Sequence, residues 1–208
     1  MEIINTAIEN YLKGLLPERD NVLQLMEAYG HEKDFPIIGP LVGRLLFQLA
    51  SLTQAKKVFE LGSGFGYSAI WFSKGMQPDS KIICTDGSQQ NADMARGFFK
   101  QTGIERVVDF RVGDALSLLD QEPGPFDIIL NDIDKHEYPQ AFVRAVPKLR
   151  KGGLLITDNV IWSGKVVSGD RDPDTKGILK FNQLAYQSTE VLTVIIPLRD
   201  GVAVSMKV

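Results

Sequence analysis

The sequence has one cysteine, two histidines, no repeat, no basic run and no long apolar stretch. Each shortage closes off a class of protein. Cys84 alone cannot form an internal disulfide, and its apolar neighbours mark it as a small buried hydrophobe. His31 and His136 lack the partners that a zinc site or a histidine base needs. The apolar runs are too short and too interrupted for a transmembrane helix. A net charge of -3 gives no electrostatic ground for binding nucleic acid. The opening Met1-Glu2-Ile3-Ile4-Asn5 has no basic region of the kind that starts a secretory signal. These absences predict a cytoplasmic protein whose partners are neither nucleic acid nor membrane.

The 208 residues, 44% apolar and 24% charged, have an ordinary globular composition. The length suits one domain, 1–208, that buries roughly 70% of its unfolded surface. Residues 1–35 read as a helical N-terminal extension. Asp20 is placed to cap a helix through Tyr29, which Gly30 ends. A loop from His31 to Gly39 follows, and Pro40 opens a third helix with Leu41, Leu45, Leu46 and Leu49 at helical spacing.

From Lys57 onward, short apolar runs alternate with amphipathic stretches. Strands are predicted over Lys57–Leu61, Lys81–Thr85, Val107–Arg111, Phe126–Asn131, Gly153–Thr157, Val191–Pro197 and Val202–Lys207. Helices are predicted over Tyr67–Lys74, Ser88–Gln101, Ala115–Leu119, Tyr138–Arg150 and Lys176–Gln187. This alternation predicts an α/β fold, a mainly parallel sheet with helices on both faces. Asp200-Gly201 between the last two runs is a hairpin signal, so the sheet should end in an antiparallel pair.

The first strand runs into Glu60-Leu61-Gly62-Ser63-Gly64-Phe65-Gly66-Tyr67-Ser68. Glycines in a strand-to-helix turn let a ligand approach the backbone. The dinucleotide fingerprint fails, because its third glycine position holds Tyr67. An acid two residues before the first glycine changes the chemistry. A pyrophosphate needs only amide donors. A ligand with an amino-acid tail needs acceptors too, and Glu60, the Gly62 carbonyl and the Ser68 hydroxyl supply the mixture. A ligand-free glycine turn is the plainer reading. Against it, Asp86 ends the second strand 20 residues after Gly66, where a ribose-binding carboxylate falls. Asp114, in Gly113-Asp114-Ala115, lies where an adenine is expected. By itself it would be a helix N-cap, and it can be both.

The fourth strand ends in Asn131-Asp132-Ile133-Asp134-Lys135-His136, and the fifth in Asp158-Asn159. Ligands of open α/β sheets bind outside the carboxyl ends of the strands. There Asp132, Asp158 and Asn159 form a hard oxygen set suited to Mg²⁺ or Ca²⁺. The simpler reading, acids that cap the following helices, serves for one acid better than for two and an amide. Lys135, just past the cluster, can act as a base beside a cation, or be a solvated surface lysine.

With these motifs the chain resembles the metal-dependent O-methyltransferases, the family of catechol O-methyltransferase and the caffeoyl-CoA O-methyltransferases, in its bacterial form. The resemblance runs from about Pro36 to the C-terminus. It rests on Phe59-Glu60-Leu61-Gly62, Gly66-Tyr67-Ser68, Gly113-Asp114-Ala115, Asp132-Ile133-Asp134-Lys135, Asp158-Asn159-Val160 and Pro197-Leu198 with Asp200-Gly201. It implies a Rossmann-like, doubly wound seven-stranded sheet in the order 3-2-1-4-5-7-6 with strand 7 antiparallel. It also implies S-adenosylmethionine (SAM) as cofactor, a divalent metal (Mg²⁺, Ca²⁺ or Mn²⁺), a small aromatic acceptor and a homodimer.

By that resemblance Ile38, Glu60, Gly62, Ser63, Ser68, Asp86, Ala115 and Asp134 contact the cofactor, with Gly64 in the same turn. Asp132, Asp158 and Asn159 hold the metal, and Lys135 is the catalytic base. Three departures bear on the acceptor. Ile38 stands where plant-type enzymes often have a threonine, Ile133 replaces a usual alanine, and the loop Trp162–Thr175 fixes no known acceptor. Two other functions remain as alternatives: an NAD(P)-dependent oxidoreductase and a non-catalytic SAM-binding protein. Tyr67 argues against the first, and the intact Asp132, Lys135, Asp158 and Asn159 against the second.

Overall fold

The computed structural model describes residues 5–208, so the first four residues of the expected extension lie outside the described residues. Helix α1 (Thr6–Gly14) is capped by Asn5, whose side chain accepts from Ala7 N at 2.9 Å. None of its residues is buried. Helix α2 (Asn21–Glu32) starts at Asp20 as expected, with Oδ1 accepting from Leu23 N at 3.1 Å.

Helix α2 does not end at Gly30 but runs on to Glu32. Asp34, with φ 49°, takes the left-handed position. Phe35 N then donates back to Gly30 O at 2.9 Å. This is the helix closure usually built on glycine, with aspartate, which tolerates that conformation, in its place. Gly30 serves the returning chain instead, since a Cβ there would sit 3.3 Å from Phe35 O. Helix α3 (Gly39–Leu52) carries Pro40 in its first turn.

The sheet consists of β1 (Lys57–Leu61), β2 (Lys81–Asp86), β3 (Val108–Val112), β4 (Phe126–Asn131), β5 (Leu149–Thr157), β6 (Val191–Ile196) and β7 (Val202–Lys207). Its order is β3-β2-β1-β4-β5-β7-β6. The pairs β1–β2, β1–β4, β2–β3 and β4–β5 are parallel, and β7 is antiparallel to both its neighbours. Order and direction are those the resemblance implied.

Between the strands lie α4 (Tyr67–Gly75), α5 (Gln89–Thr102), α6 (Ala115–Asp120), α7 (Tyr138–Ala145), α8 (Lys165–Ser168) and α9 (Pro173–Gln187). Two boundaries correct the sequence reading. The helix expected to reach Arg150 stops at Ala145, and a tight turn around Pro147 leads into β5 at Leu149. Proline has no N–H to continue the helix. Helix α9 starts at Pro173 rather than Lys176, because Asp172 caps it by accepting from Thr175 N at 3.0 Å.

Side chains alternate along the strands and fill two cores. Val58, Ile82, Ile128 and Leu130 pack with Leu46, Ile70, Phe72 and Phe99 of α3, α4 and α5. Phe59, Leu61, Ile129 and Leu155 pack with Leu116, Phe142 and Phe181 of α6, α7 and α9. Each such apolar side chain, fully buried, contributes roughly 1.5–3 kcal/mol. Because both faces are covered, strand polarity falls at the ends, and the carboxyl ends of β1, β2, β4 and β5 open on one edge.

Candidate active site

That edge is a cleft of about 490 Å³. The turn after β1 forms its floor. Gly62 has φ 80°, and a Cβ there would lie 2.6 Å from Asp132 O, so the turn can pass the β4 end only as glycine. Asp132 N donates to Leu61 O at 2.9 Å across the same gap. Ser63 is tied to β2 twice: its N–H donates to Thr85 O (2.8 Å) and its Oγ accepts from Thr85 N (3.1 Å).

Glu60 is fully buried behind this turn. Cys84 Sγ donates to its Oε2 at 3.3 Å, while Oε1 has no hydrogen-bond partner among the described residues. Burial pushes the carboxyl up to about 7, with the Ser63 and Ser68 hydroxyls pulling the other way. A buried carboxylate oxygen without a donor is costly unless a ligand supplies one.

Asp86 holds the other side of the turn. Its Oδ2 accepts from Gly64 N (3.0 Å), and its Oδ1 accepts from Ser88 N (2.8 Å) and Asn91 Nδ2 (3.0 Å). It is therefore a scaffold for the glycine turn as well as a wall of the cleft. Asp114 caps α6, with Oδ1 accepting from Ser117 N at 2.8 Å, and it too faces the cleft. Ile38, Ser63, Ser68, Ala115 and Asp134 complete the expected cofactor set along the walls. Glu60 alone stands behind the lining.

At the β4 and β5 ends, Asp132, Asp158, Asn159 and Lys135 face the same cleft. Lys135 Nζ donates to Asp132 Oδ1 (2.8 Å) and to Ile133 O (3.2 Å). Its turn is pinned from outside, because α9 crosses it at Gly177, where any Cβ would collide with Lys135 O. Asp158 is 2% exposed, and its Oδ1 has no hydrogen-bond partner among the described residues. Burial pushes its carboxyl up to about 7, and the Asp132 charge adds to this while Arg199 opposes it. Burial raises Asp132 too, against the pull of Lys135 and Arg199. Two carboxylates thus converge with too little positive charge between them. Among the described residues, no three His, Cys, Asp or Glu side chains cluster to hold a metal.

The glycine turn and the acidic centre share one cleft, and the profile of the O-methyltransferase family matches residues 20–208. The chain belongs to the O-methyltransferase family. A catechol O-methyltransferase from Niastella koreensis is 31% identical over 212 residues, covering 96% of each chain. A caffeoyl-CoA O-methyltransferase from Medicago sativa is 27% identical and covers 80% of this chain and 72% of its own. The O-methyltransferase from Bacillus cereus, solved in complex with SAH, superimposes with a TM-score of 0.89. It is 27% identical, and the alignment spans 98% of each chain.

Family membership sets aside the oxidoreductase alternative. This O-methyltransferase also has cleft residues that sequence reasoning missed. Phe35, Pro36 and Ile37 form a wall that the sequence marks only as a loop. Arg199 enters the cleft from the β6–β7 hairpin, where its position in the turn gave no sign of it. No described helix is long and apolar enough to cross a membrane. His136 is exposed and paired with Asp174, in keeping with an incidental role.

Proposed function

We propose that this chain, as one methyltransferase unit over 1–208, moves the methyl group of SAM to a hydroxyl of a small catechol-like acceptor. The observation that carries this reading is the unpartnered, buried Asp158 Oδ1 beside Asp132 and Lys135. SAM as donor is supported by the SAH in the Bacillus cereus relative, and a catechol-like acceptor by the names of the relatives.

In this reading the cofactor's ammonium meets Glu60 Oε1 and the Gly62 carbonyl, and its carboxylate meets Ser68. Asp86 keeps one lone pair, on Oδ2, for a ribose hydroxyl beyond its bonds to Gly64, Ser88 and Asn91. Asp114 and Ala115 flank the adenine, with Ile38, Ser63, Gly64 and Asp134 completing the walls.

Asp132, Asp158 and Asn159 would hold a divalent cation, Mg²⁺ by the hardness of the oxygen donors. When bound, it supplies positive charge that acidifies an acceptor hydroxyl, which otherwise ionises near pH 10. Lys135, once its ammonium has released a proton to solvent, takes the hydroxyl proton at Nζ. The cleft walls would hold acceptor and cofactor for in-line transfer, and positioning of this kind is worth roughly 7–11 kcal/mol.

The deciding assay is methyl transfer from SAM to a catechol with and without a strong chelator. Activity should vanish with the chelator and return with Mg²⁺, while SAM binding survives. Asp158→Ala should mimic the chelated enzyme without Mg²⁺ rescue. Full activity in excess chelator, on a monophenol as readily as on a catechol, would sink the metal mechanism and leave a methyltransferase.

Two further elements belong to this proposal. The free buried thiol of Cys84 fits a cytoplasmic protein. Part of the N-terminal segment fits a homodimer contact: Leu23 is buried in its own core, but Ile8, Tyr11, Leu15 and Leu25 are more than half exposed. Light scattering should give twice the chain mass, and a monomer at micromolar concentration would overturn the dimer.

A further inference from the structure

We infer that Arg199 is a specificity residue that binds a carboxylate on the acceptor, so that the preferred substrate is an aromatic diol bearing an acid group. This deepens the methyltransferase reading of the same cleft and rests on it.

Two cationic side chains line the cleft, Lys135 and Arg199. Lys135 is already committed to Asp132 at 2.8 Å. Among the described residues, Arg199 makes no ion pair and no side-chain hydrogen bond. It lines the same cleft as Asp132 and Asp158, on the hairpin tip whose Asp200 and Gly201 carbonyls accept from Ile161 N and Val160 N just past Asp158. The guanidinium lies beside the start of α3, where a Cβ added to Gly39 would be 3.7 Å from its Nε.

The backbone makes the placement deliberate. Arg199 has φ 51°, a left-handed conformation that a long side chain rarely adopts. The hairpin enforces it, through Gly201 N to Leu198 O at 2.9 Å and through bonds from Val160 and Ile161 to the Gly201 and Asp200 carbonyls. A strained residue with a free planar fork at a binding cleft suits a ligand. A carboxylate matches that fork with two parallel hydrogen bonds. The cofactor also has a carboxylate, but the glycine-turn amides and the Ser68 hydroxyl, after β1 in the same cleft, supply donors for it. Arg199 sits with the acidic centre where the acceptor must enter.

The test uses two probes with adjacent ring hydroxyls, a dihydroxybenzoate and the neutral dihydroxybenzamide of the same pattern. Their affinities are measured by calorimetry on protein saturated with SAH and Mg²⁺, and methyl transfer to each is assayed separately with SAM. Wild type should bind the benzoate about tenfold tighter or more, the gain of a charged hydrogen-bonded pair. Arg199→Gln should bring the ratio near one, and Arg199→Lys, which keeps the charge but not the fork, should fall between. Arg199→Gly relieves the left-handed backbone, so it should fold at least as well as wild type and lose the preference equally.

A wild-type ratio near one, or a preference that survives Arg199→Gly, overturns the assignment. So does a loss of SAH affinity with the ratio unmoved, which would place the guanidinium on the cofactor. If methyl transfer occurs with a flat ratio, only the Arg199 inference fails. If neither probe binds or is methylated, the catechol reading fails and the inference falls with it.

Discussion

Glu60→Gln tests whether the acid behind the glycine turn awaits a ligand. Burial holds the Glu60 carboxyl up to about 7, against 4.5 for an ordinary glutamate. Between those pH values the folded, cofactor-free protein keeps a proton that the unfolded chain has released. The stability tied to Glu60 is therefore intact below about 4.5 and is lost as pH rises through 7. The loss is at most about 3 kcal/mol, from the size of that rise. Glutamine carries no charge at any of these pH values and escapes it. Asp158 titrates in the same window in both proteins, so the difference between them isolates Glu60. In thermal unfolding of protein stripped of cofactor, Glu60→Gln should gain roughly 6–12 °C on wild type between pH 5 and pH 8.5, at 2–4 °C per kcal/mol. SAM affinity should rise with pH through 7 in wild type and stay low and flat in the variant, because only the ionised acid attracts an ammonium. Parallel unfolding curves at both pH values would refute the reasoning.

Asp86→Ala should weaken SAM binding about tenfold or more, since it leaves a ribose hydroxyl unpaired at roughly 1–3 kcal/mol. It should also lower the melting temperature of the cofactor-free protein, because the Gly64 and Ser88 amides lose their acceptor; calorimetry and thermal unfolding read the two effects separately. Lys135→Ala should retain SAM affinity and lose methyl-transfer rate by roughly 10²–10⁴. Part of that rate should return at high pH, where hydroxide replaces the amine, and a pH–rate profile parallel to wild type would remove Lys135 as the base.

Much of the fold was legible because both of its signals are local. Apolar runs ended by Glu60, Asp86, Asp132 and Asp158 mark strands buried on both faces with polar carboxyl ends. Glycines and Asp-Gly mark turns whose backbone other residues resist. Element ends that depend on distant partners were less legible. Leu149-Arg150 reads as a helix tail, yet it is strand. Leu149 pairs with Phe126, and Arg150 Nε donates to Asp127 at 2.5 Å while Nη2 reaches Thr53 O at 2.8 Å. Gly30 reads as a helix stop because its use, room for Phe35 O, lies in the chain that returns over it. Asp86 reads as a ligand residue in the sequence, which gives no sign that it braces the glycine turn. Arg199 could not be read at all: an arginine in a turn is ordinary until the fold aims it into a cleft.

The antiparallel strand accounts for how the acidic centre is held. Residues just after Asp158 belong to no helix or strand, and Asn159 itself is left-handed at φ 59°. In a sheet whose last strands were all parallel, the β5 end would have nothing beside it to receive those amides. Inserting β7 between β5 and β6 turns the hairpin tip back over the β5 end. Its backbone then accepts from the loop, Gly201 O from Val160 N at 3.0 Å and Asp200 O from Ile161 N at 2.9 Å. The Asp200 carboxylate also accepts from Ser163 N. Gly201 must be glycine, because a Cβ there would strike Ile161. Tyr138 closes the other side by donating to Asp158 O at 2.9 Å. The Asp158 backbone is thus fixed from both directions, while its carboxylate oxygen remains unpartnered and faces the cleft. The same hairpin that fixes Asp158 carries Arg199, so the acidic centre and Arg199 are held by one set of backbone hydrogen bonds.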